Sequence, residues 1–198
     1  TFGNQFKITT WGESHGKAVG VVIDGCPAGL PLTESDIQYY LNLRKPGQSR
    51  YTTPRKEDDA VEIMSGTFEG KTTGSPIFLI VFNKNARSSD YSDIARYYRP
   101  GHADYTFDAK YGFRDYRGGG RSSARETIGR VAAGAVAMKL LAECGIEICA
   151  YSKTIGPVSI DPAKFNAEEI FNNPVYMPDA DAASEAEAFI AEQMKKQD

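Results

Sequence analysis

Cysteine, histidine and tryptophan are all scarce in this chain of 198 residues, which holds three, two and one of them respectively. Cys26, Cys144 and Cys149 are odd in number and lack a paired C-x-x-C spacing, which argues against a disulfide framework or a zinc site and for a reducing compartment. No apolar run reaches the roughly 20 residues that a membrane span needs. The first residues lack the basic-then-apolar pattern of a secretory leader. Basic residues are not in excess either: the formal net charge is -3, so attraction of the whole molecule to nucleic acid or anionic lipid is not expected. Repeats and low-complexity tracts are absent as well. What remains is a soluble, cytoplasmic, globular chain whose 41% hydrophobic and 25% charged residues suit a folded core.

Charge is unevenly spread along it. Residues 159–198 hold nine acids against three bases, whereas residues 87–130 contain eight arginines. The chemistry is therefore expected before residue 159, and the chain divides into a motif-bearing portion, 1–158, and an acidic segment with a helical end, 159–198. Strands are expected at Phe6–Thr10 and Val19–Ile23, joined by the turn Gly12-Glu13-Ser14-His15-Gly16. A helix starts at Thr33, where a hydroxyl and the acids Glu34 and Asp36 suit an N-terminus, and ends near Leu43 before Pro46-Gly47. Further strands are expected at Ala60–Met64, Ser75–Phe82 and Ile146–Ile155. The longest helix runs from Ser122 or Ser123 to about Cys144, with Ile128, Val131, Ala132, Ala135, Val136 and Leu140 on one face and capping-box spacing between Ser123 and Glu126. Its small residues, Gly129 among them, let another element approach closely, so it is expected to be central. Ala180–Lys196 reads as an exposed, acidic amphipathic helix. Periodicity by itself supports an α+β class.

Three stretches carry possible chemistry. His15 and His102, the only histidines, both sit in polar, turn-rich segments away from any apolar stripe, and neither has metal-ligand spacing. The run Arg44-Lys45-Pro46-Gly47-Gln48-Ser49-Arg50-Tyr51 places fixed cations on a restricted loop. Guanidinium groups grip phosphate and carboxylate bidentately and stay charged at any relevant pH. Arg99-Pro100-Gly101-His102-Ala103-Asp104 precedes Arg117-Gly118-Gly119-Gly120-Arg121-Ser122-Ser123-Ala124-Arg125-Glu126-Thr127, in which three glycines lead into a helix N-terminus, a place where free N–H groups and the helix dipole favour an anion. On glycine spacing alone this is equally a flexible turn before a capped helix, since neither GxGxxG nor the Walker lysine is present.

Taken together and in order, these segments resemble the signature motifs of the chorismate synthase family up to Ile155, with the tail similar to that family's variable middle region. The resemblance implies a β-α-β sandwich with helices packed between antiparallel sheets, a homotetramer at full length, reduced FMN as cofactor with NADPH as a possible reductant, and 5-enolpyruvylshikimate 3-phosphate as substrate. The implied reaction is a trans-1,4 elimination of phosphate that yields chorismate without net redox change; no metal, nucleic acid or membrane is implied. It further implies that His15 and His102 are catalytic, His15 near the substrate and His102 facing the flavin. Arg44, Arg50, Arg99 and Arg125 would hold the substrate's anionic groups. Ser14, His102, Arg117, Arg121, Ser122 and Ser123 would contact the cofactor.

Family members are about twice as long, so the chain is expected to be a truncated form, a cleaved product or a partial gene product that by itself binds FMN weakly and turns over little or nothing. Three other readings stay open at this point: an NADPH-dependent flavin reductase, an inactive structural half, and a nucleic-acid binder built on the arginines with Tyr105, Tyr111, Phe113 and Tyr116 between them.

Overall fold

A computed structural model of the chain describes residues 1–45, 58–84, 93–117 and 119–196. These residues form two compact units, with the division between Ile146 and Glu147.

The first unit is a four-stranded antiparallel sheet carrying two long helices. Its elements are β1 (Lys7–Gly12), β2 (Ala18–Asp24), α1 (Glu34–Arg44), β3 (Val61–Ser65), the short pair β4 (Thr67–Phe68) and β5 (Lys71–Thr72), β6 (Ile77–Phe82), α2 (Asp104–Tyr111) and α3 (Thr127–Ala142). Strand order is β1-β2-β6-β3. Register pairs Ile8 with Ile23, Val21 with Leu79 and Val61 with Val81, and a bulge falls between Ile63 and Ser65. Because side chains alternate across a strand, Val19, Val21 and Ile23 of β2 and Ile77, Leu79 and Val81 of β6 all point to one face. There they bury against Ile37 and Leu41 of α1 and Ile128, Ala132 and Val136 of α3. Each such aliphatic side chain removed from water contributes about 1.5–3 kcal/mol.

Gly129 sets the depth of α3, and Gly20 lets its neighbours in the sheet close in. A β-carbon on Gly129 would stand 2.7 Å from the carbonyl oxygen of Gly20, and one on Gly20 would stand 2.1 Å from that of Leu79. Backbone therefore meets backbone where helix and sheet cross, which makes α3 central as its small residues predict. At the other helix, the Asp36 carboxylate accepts the Thr33 N–H at 2.8 Å and its hydroxyl at 2.9 Å, which closes the start of α1.

Three expectations need correction. The long helix starts at Thr127, because residues 120–126 form two 3-10 turns, Gly120–Ser122 and Ala124–Glu126. The Ser123–Glu126 capping box does not form: Ser123 Oγ accepts from the Arg125 N–H, while the Glu126 carboxylate takes the Thr10 hydroxyl at 2.6 Å and Arg130 Nε at 3.0 Å. The strand expected over 146–155 shrinks to Thr154–Ile155, since Ile146 and Ile148 lie exposed and find no strand to pair with among the described residues.

The second unit, from Glu147 onward, has its own small core. β7 (Thr154–Ile155) pairs with β8 (Val158–Ser159), and α4 (Ala180–Lys196) packs Ala182, Ala183 and Ala186 against Val158, Ile160, Val175 and Met177. The helix is acidic on its outer face as expected, yet its alanine stripe is buried and not bare. Asp179 serves as its entry residue, accepting the N–H groups of Asp181 and Ala182 at 3.1 and 3.2 Å.

Candidate functional site

The β1–β2 connection builds the first wall of the site. Gly12 has φ +83, and a β-carbon there would lie 2.2 Å from the Ala18 carbonyl, so the strand can turn only through glycine. Gly16 N–H closes on the Glu13 carbonyl at 3.0 Å. Asn83, at the end of β6, then clamps the turn from outside: its Nδ2 donates to the carbonyls of Glu13 (3.0 Å) and Gly16 (2.9 Å). Ser14 N–H reaches the Gly120 carbonyl at 3.5 Å, which joins this turn to the turns before α3.

Those turns form the second wall. Gly119 and Gly120 both have positive φ, +89 and +52, and a β-carbon on Gly120 would lie 3.2 Å from Asp115 Cβ and 3.8 Å from Glu13 Cγ. His15, half-buried, lies near enough to Asp115 for their charges to interact. Burial, the largest influence on Asp115, pushes its carboxyl up; the hydrogen bonds and charge of Arg117, together with His15, more than offset this and hold it below the usual carboxylate range. The Arg117 fork meets Asp115 at 2.9 and 3.1 Å.

A buried ion cluster forms the third. The Asp59 side chain is fully buried and accepts from Arg44 Nη1 at 3.1 Å and from Arg125 Nη1 at 2.9 Å, one guanidinium on each oxygen. Arg125 Nε also donates to Asn83 Oδ1 at 2.6 Å. Burial raises the Asp59 carboxyl, against the pull of Arg44 and Lys45. Burial and the neighbouring charge of Arg44 push Arg125 down to about 10, so it remains a cation at neutral pH.

The Arg99–Asp104 segment completes the set. Arg99 grips Asp104 through Nε at 2.8 Å and Nη2 at 2.9 Å, and Arg114 approaches the same carboxylate at 3.2 Å. The Arg99 hydrogen bonds hold Asp104 far below the ordinary carboxylate range. Arg99 Nη2 also faces Gly119, 3.9 Å from where a β-carbon would stand. His102 is exposed on this turn, with Nδ1 3.0 Å from the Pro100 carbonyl.

Of the residues singled out from sequence, the structure brings Ser14, His15, Arg44, Arg117 and Arg125 to adjoining walls and sets Arg99 beside Gly119. Arg50 lies outside the described residues. The Arg121 guanidinium is engaged in framework bonds to the Gly12 carbonyl at 2.6 Å and Thr10 Oγ1 at 2.8 Å, with Glu126 at 3.3 Å. Ser122 Oγ donates to the Gly119 carbonyl at 2.7 Å, and Ser123 Oγ accepts from Arg125 N–H at 3.3 Å. Asp59, Asn83 and Asp115 hold this arrangement together and were not singled out.

As a donor set, the walls offer guanidinium groups, glycine-opened backbone and an imidazole, which suit a ligand carrying phosphate and carboxylate groups. Among the described residues no group of His, Cys, Asp and Glu is arranged to hold a metal ion, and no helix is long and apolar enough to cross a membrane.

The chain is similar to known proteins of one family. Residues 6–198 match the family model described as chorismate synthase. The chain is 66% identical over 195 residues to the chorismate synthase of Agathobacter rectalis, covering 98% of this chain and 53% of that protein. It is 69% identical over 193 residues to the chorismate synthase of Lachnospira eligens, again covering 98% and 53%. A solved structure described as a crystal structure of chorismate synthase superposes with a TM-score of 0.75 at 32% identity, covering 98% of this chain and 54% of that one. The chain thus spans about half the length of the curated relatives it matches.

Proposed function

The chain belongs to the chorismate synthase family, and from that premise we propose that it takes part in the elimination of phosphate from 5-enolpyruvylshikimate 3-phosphate to give chorismate, as a carbon–oxygen lyase of the shikimate pathway. The observation that carries the proposal is the junction at Arg125, whose guanidinium is tied at once to Asp59, shared with Arg44, and to Asn83, which clamps the His15 turn. Fixed cations and an imidazole are thereby held on one frame.

In this reading Arg44 and Arg125, with Arg99 and Arg50, bind the substrate's phosphate and carboxylates. These charges do not titrate near neutrality, so the anion's grip is independent of pH there. His15 donates a proton or hydrogen bond toward the departing phosphate, and the nearby Asp115 charge orients it. His102 acts at the cofactor. The residues also fit an anionic flavin: Arg117 and the Gly119–Ser122 turn offer cationic and backbone donors beside Ser14. Arg121 would support that site through its bonds to Gly12 and Thr10, and Ser122 and Ser123 would line it. The reduced FMN, when bound, supplies electron density that assists phosphate departure and is regained as the ring proton is lost.

The proposal extends to NADPH as a source of the flavin's electrons, a homotetramer at full length and a cytoplasmic setting. Because the chain spans half of its relatives, full rate is expected only with a counterpart of the remaining length present. The test is anaerobic phosphate release from 5-enolpyruvylshikimate 3-phosphate with chemically reduced FMN, by these residues alone and with the complementary half of a relative supplied in trans. Release that rises steeply on complementation is expected; none under either condition would remove the assignment. Anaerobic consumption of NADPH tests the reductant separately.

A further inference from the structure

We propose that Asp59 is a positioning residue that sets Arg44 and Arg125 as a rigid pair of anion-binding prongs before any ligand arrives. The proposal rests on the reading of the site above and adds to it a residue that touches no substrate.

Asp59 lies between two elements that are distant in sequence: Arg44 is the last residue of α1, and Arg125 belongs to the turn just before α3. Each guanidinium takes a different carboxylate oxygen, at 3.1 and 2.9 Å, and the carboxylate is fully buried. A buried carboxylate that only joined α1 to α3 would be redundant, since Ile37 and Leu41 already pack into the same core as Ile128 and Val136. Arg44 and Arg125 meet at one carboxylate; burial, and then the like charge of Arg44, push Arg125 down, and holding two like charges side by side in a half-buried place opposes folding. That opposition is useful where the pair must meet a multiply charged anion, because binding then incurs little further ordering of side chains. Two details point the same way. Asp59 adopts φ +46, a left-handed turn that aspartate takes more readily than most residues and that carries its carboxylate inward. Arg125 is held at a second nitrogen by Asn83, so two anchors fix the plane of its guanidinium.

The test compares the wild-type native polypeptide with Asp59→Asn, under anaerobic turnover with reduced FMN, measuring kcat, KM, the Ki of inorganic phosphate and the Kd of FMN. KM and the phosphate Ki are expected to rise together by ~10- to 100-fold, with kcat and the flavin Kd changed less than ~3-fold. A purely structural role would lower stability and active fraction while leaving KM and Ki unaltered, and that result overturns the proposal. Should Asp59→Asn fail to fold, Asp59→Glu keeps the charge but displaces both guanidiniums, and the same joint rise is expected. Independently, nitrogen-15 NMR of the ligand-free wild type should show slow rotation about the Arg125 Nε–Cζ bond; free rotation overturns the proposal. Because the rotation measurement does not depend on turnover, failure of the assigned reaction appears separately, as a wild type that releases no phosphate.

Discussion

Arg125 Nε donates to Asn83 Oδ1 across 2.6 Å, and the same Asn83 amide donates through its nitrogen to the carbonyls of Glu13 and Gly16. One side chain therefore sets both the direction of a cation and the shape of the turn that presents His15.

Asn83→Ala removes three partly buried hydrogen bonds at once. Loss of each net bond costs about 1 kcal/mol, and the freed carbonyls relax into a looser turn. The expected result is a stability loss of roughly 2–3 kcal/mol by urea unfolding, together with a fall in kcat. Asn83→Asp should keep the Arg125 contact but repel the two carbonyls, giving intact phosphate inhibition with reduced kcat. Equal behaviour of the two variants would contradict the dual role.

His15→Ala is expected to lower kcat by ~100- to 10,000-fold, the usual range for a lost acid or base, with the flavin Kd little changed. His102→Ala should act mainly on steps that involve the flavin. Full turnover by both variants in the native polypeptide would dismiss the acid–base roles.

Gly129→Ala places a methyl group 2.7 Å from the Gly20 carbonyl. Neither backbone can yield without opening the helix–sheet contact, so the variant should unfold ~1–3 kcal/mol more easily, as overpacked cores do. Gly134→Ala is the control: a β-carbon at Gly134 meets nothing within 4 Å, and the substitution should stabilise by up to about 1 kcal/mol through helix propensity. Thermal melting of the pair checks both signs.

Acid stability should depend on Asp104. Its folded-state carboxyl is held low by Arg99, so the unfolded chain binds the proton more readily. The ion pair's contribution is then full above the unfolded carboxylate value, near pH 4, and is lost progressively as pH falls below it toward the depressed folded value. Asp104→Asn should cost roughly 3 kcal/mol at neutral pH, as for a buried pair deprived of one partner, and should flatten the decline of stability between about pH 5 and 2. A decline equally steep in both proteins would show that other carboxylates govern it.

How much of this was legible in sequence follows from what each residue's neighbours are. The apolar run Ile77–Phe82 and the run Val19–Ile23 announced strands because their composition admits little else, and the structure pairs them residue for residue. The periodicity of α3 was equally plain. Its start was not: Ser122 to Glu126 look like a cap in sequence, but Thr10, brought from over 100 residues away, joins the nearby Arg121 in taking the Glu126 carboxylate, and 3-10 turns stand in place of a capped helix. Ile146 and Ile148 look like a strand, yet a strand requires a partner, and pairing cannot be seen in one segment. The short helix α2 was missed because its aromatic and acidic residues carry no apolar stripe. Site residues surrounded by glycine and arginine stood out, while Asp59 and Asn83 did not. Their role comes from burial and from groups on three other segments, and no local pattern encodes it.

The sheet's two rims are finished differently from its middle. Along β1, Ile8 directs its outer N–H and C=O to Phe2, both at 2.9 Å, so the chain's first residues fold over that rim. Along β3, the irregularity between Ile63 and Ser65 breaks the run of outward groups beside the exposed Glu62. Among the described residues, neither rim therefore offers a long, flat row on which a foreign strand could lay itself down. A protein whose half-formed chains collide during synthesis gains from this, because the growth of ordered fibrils needs such a landing place.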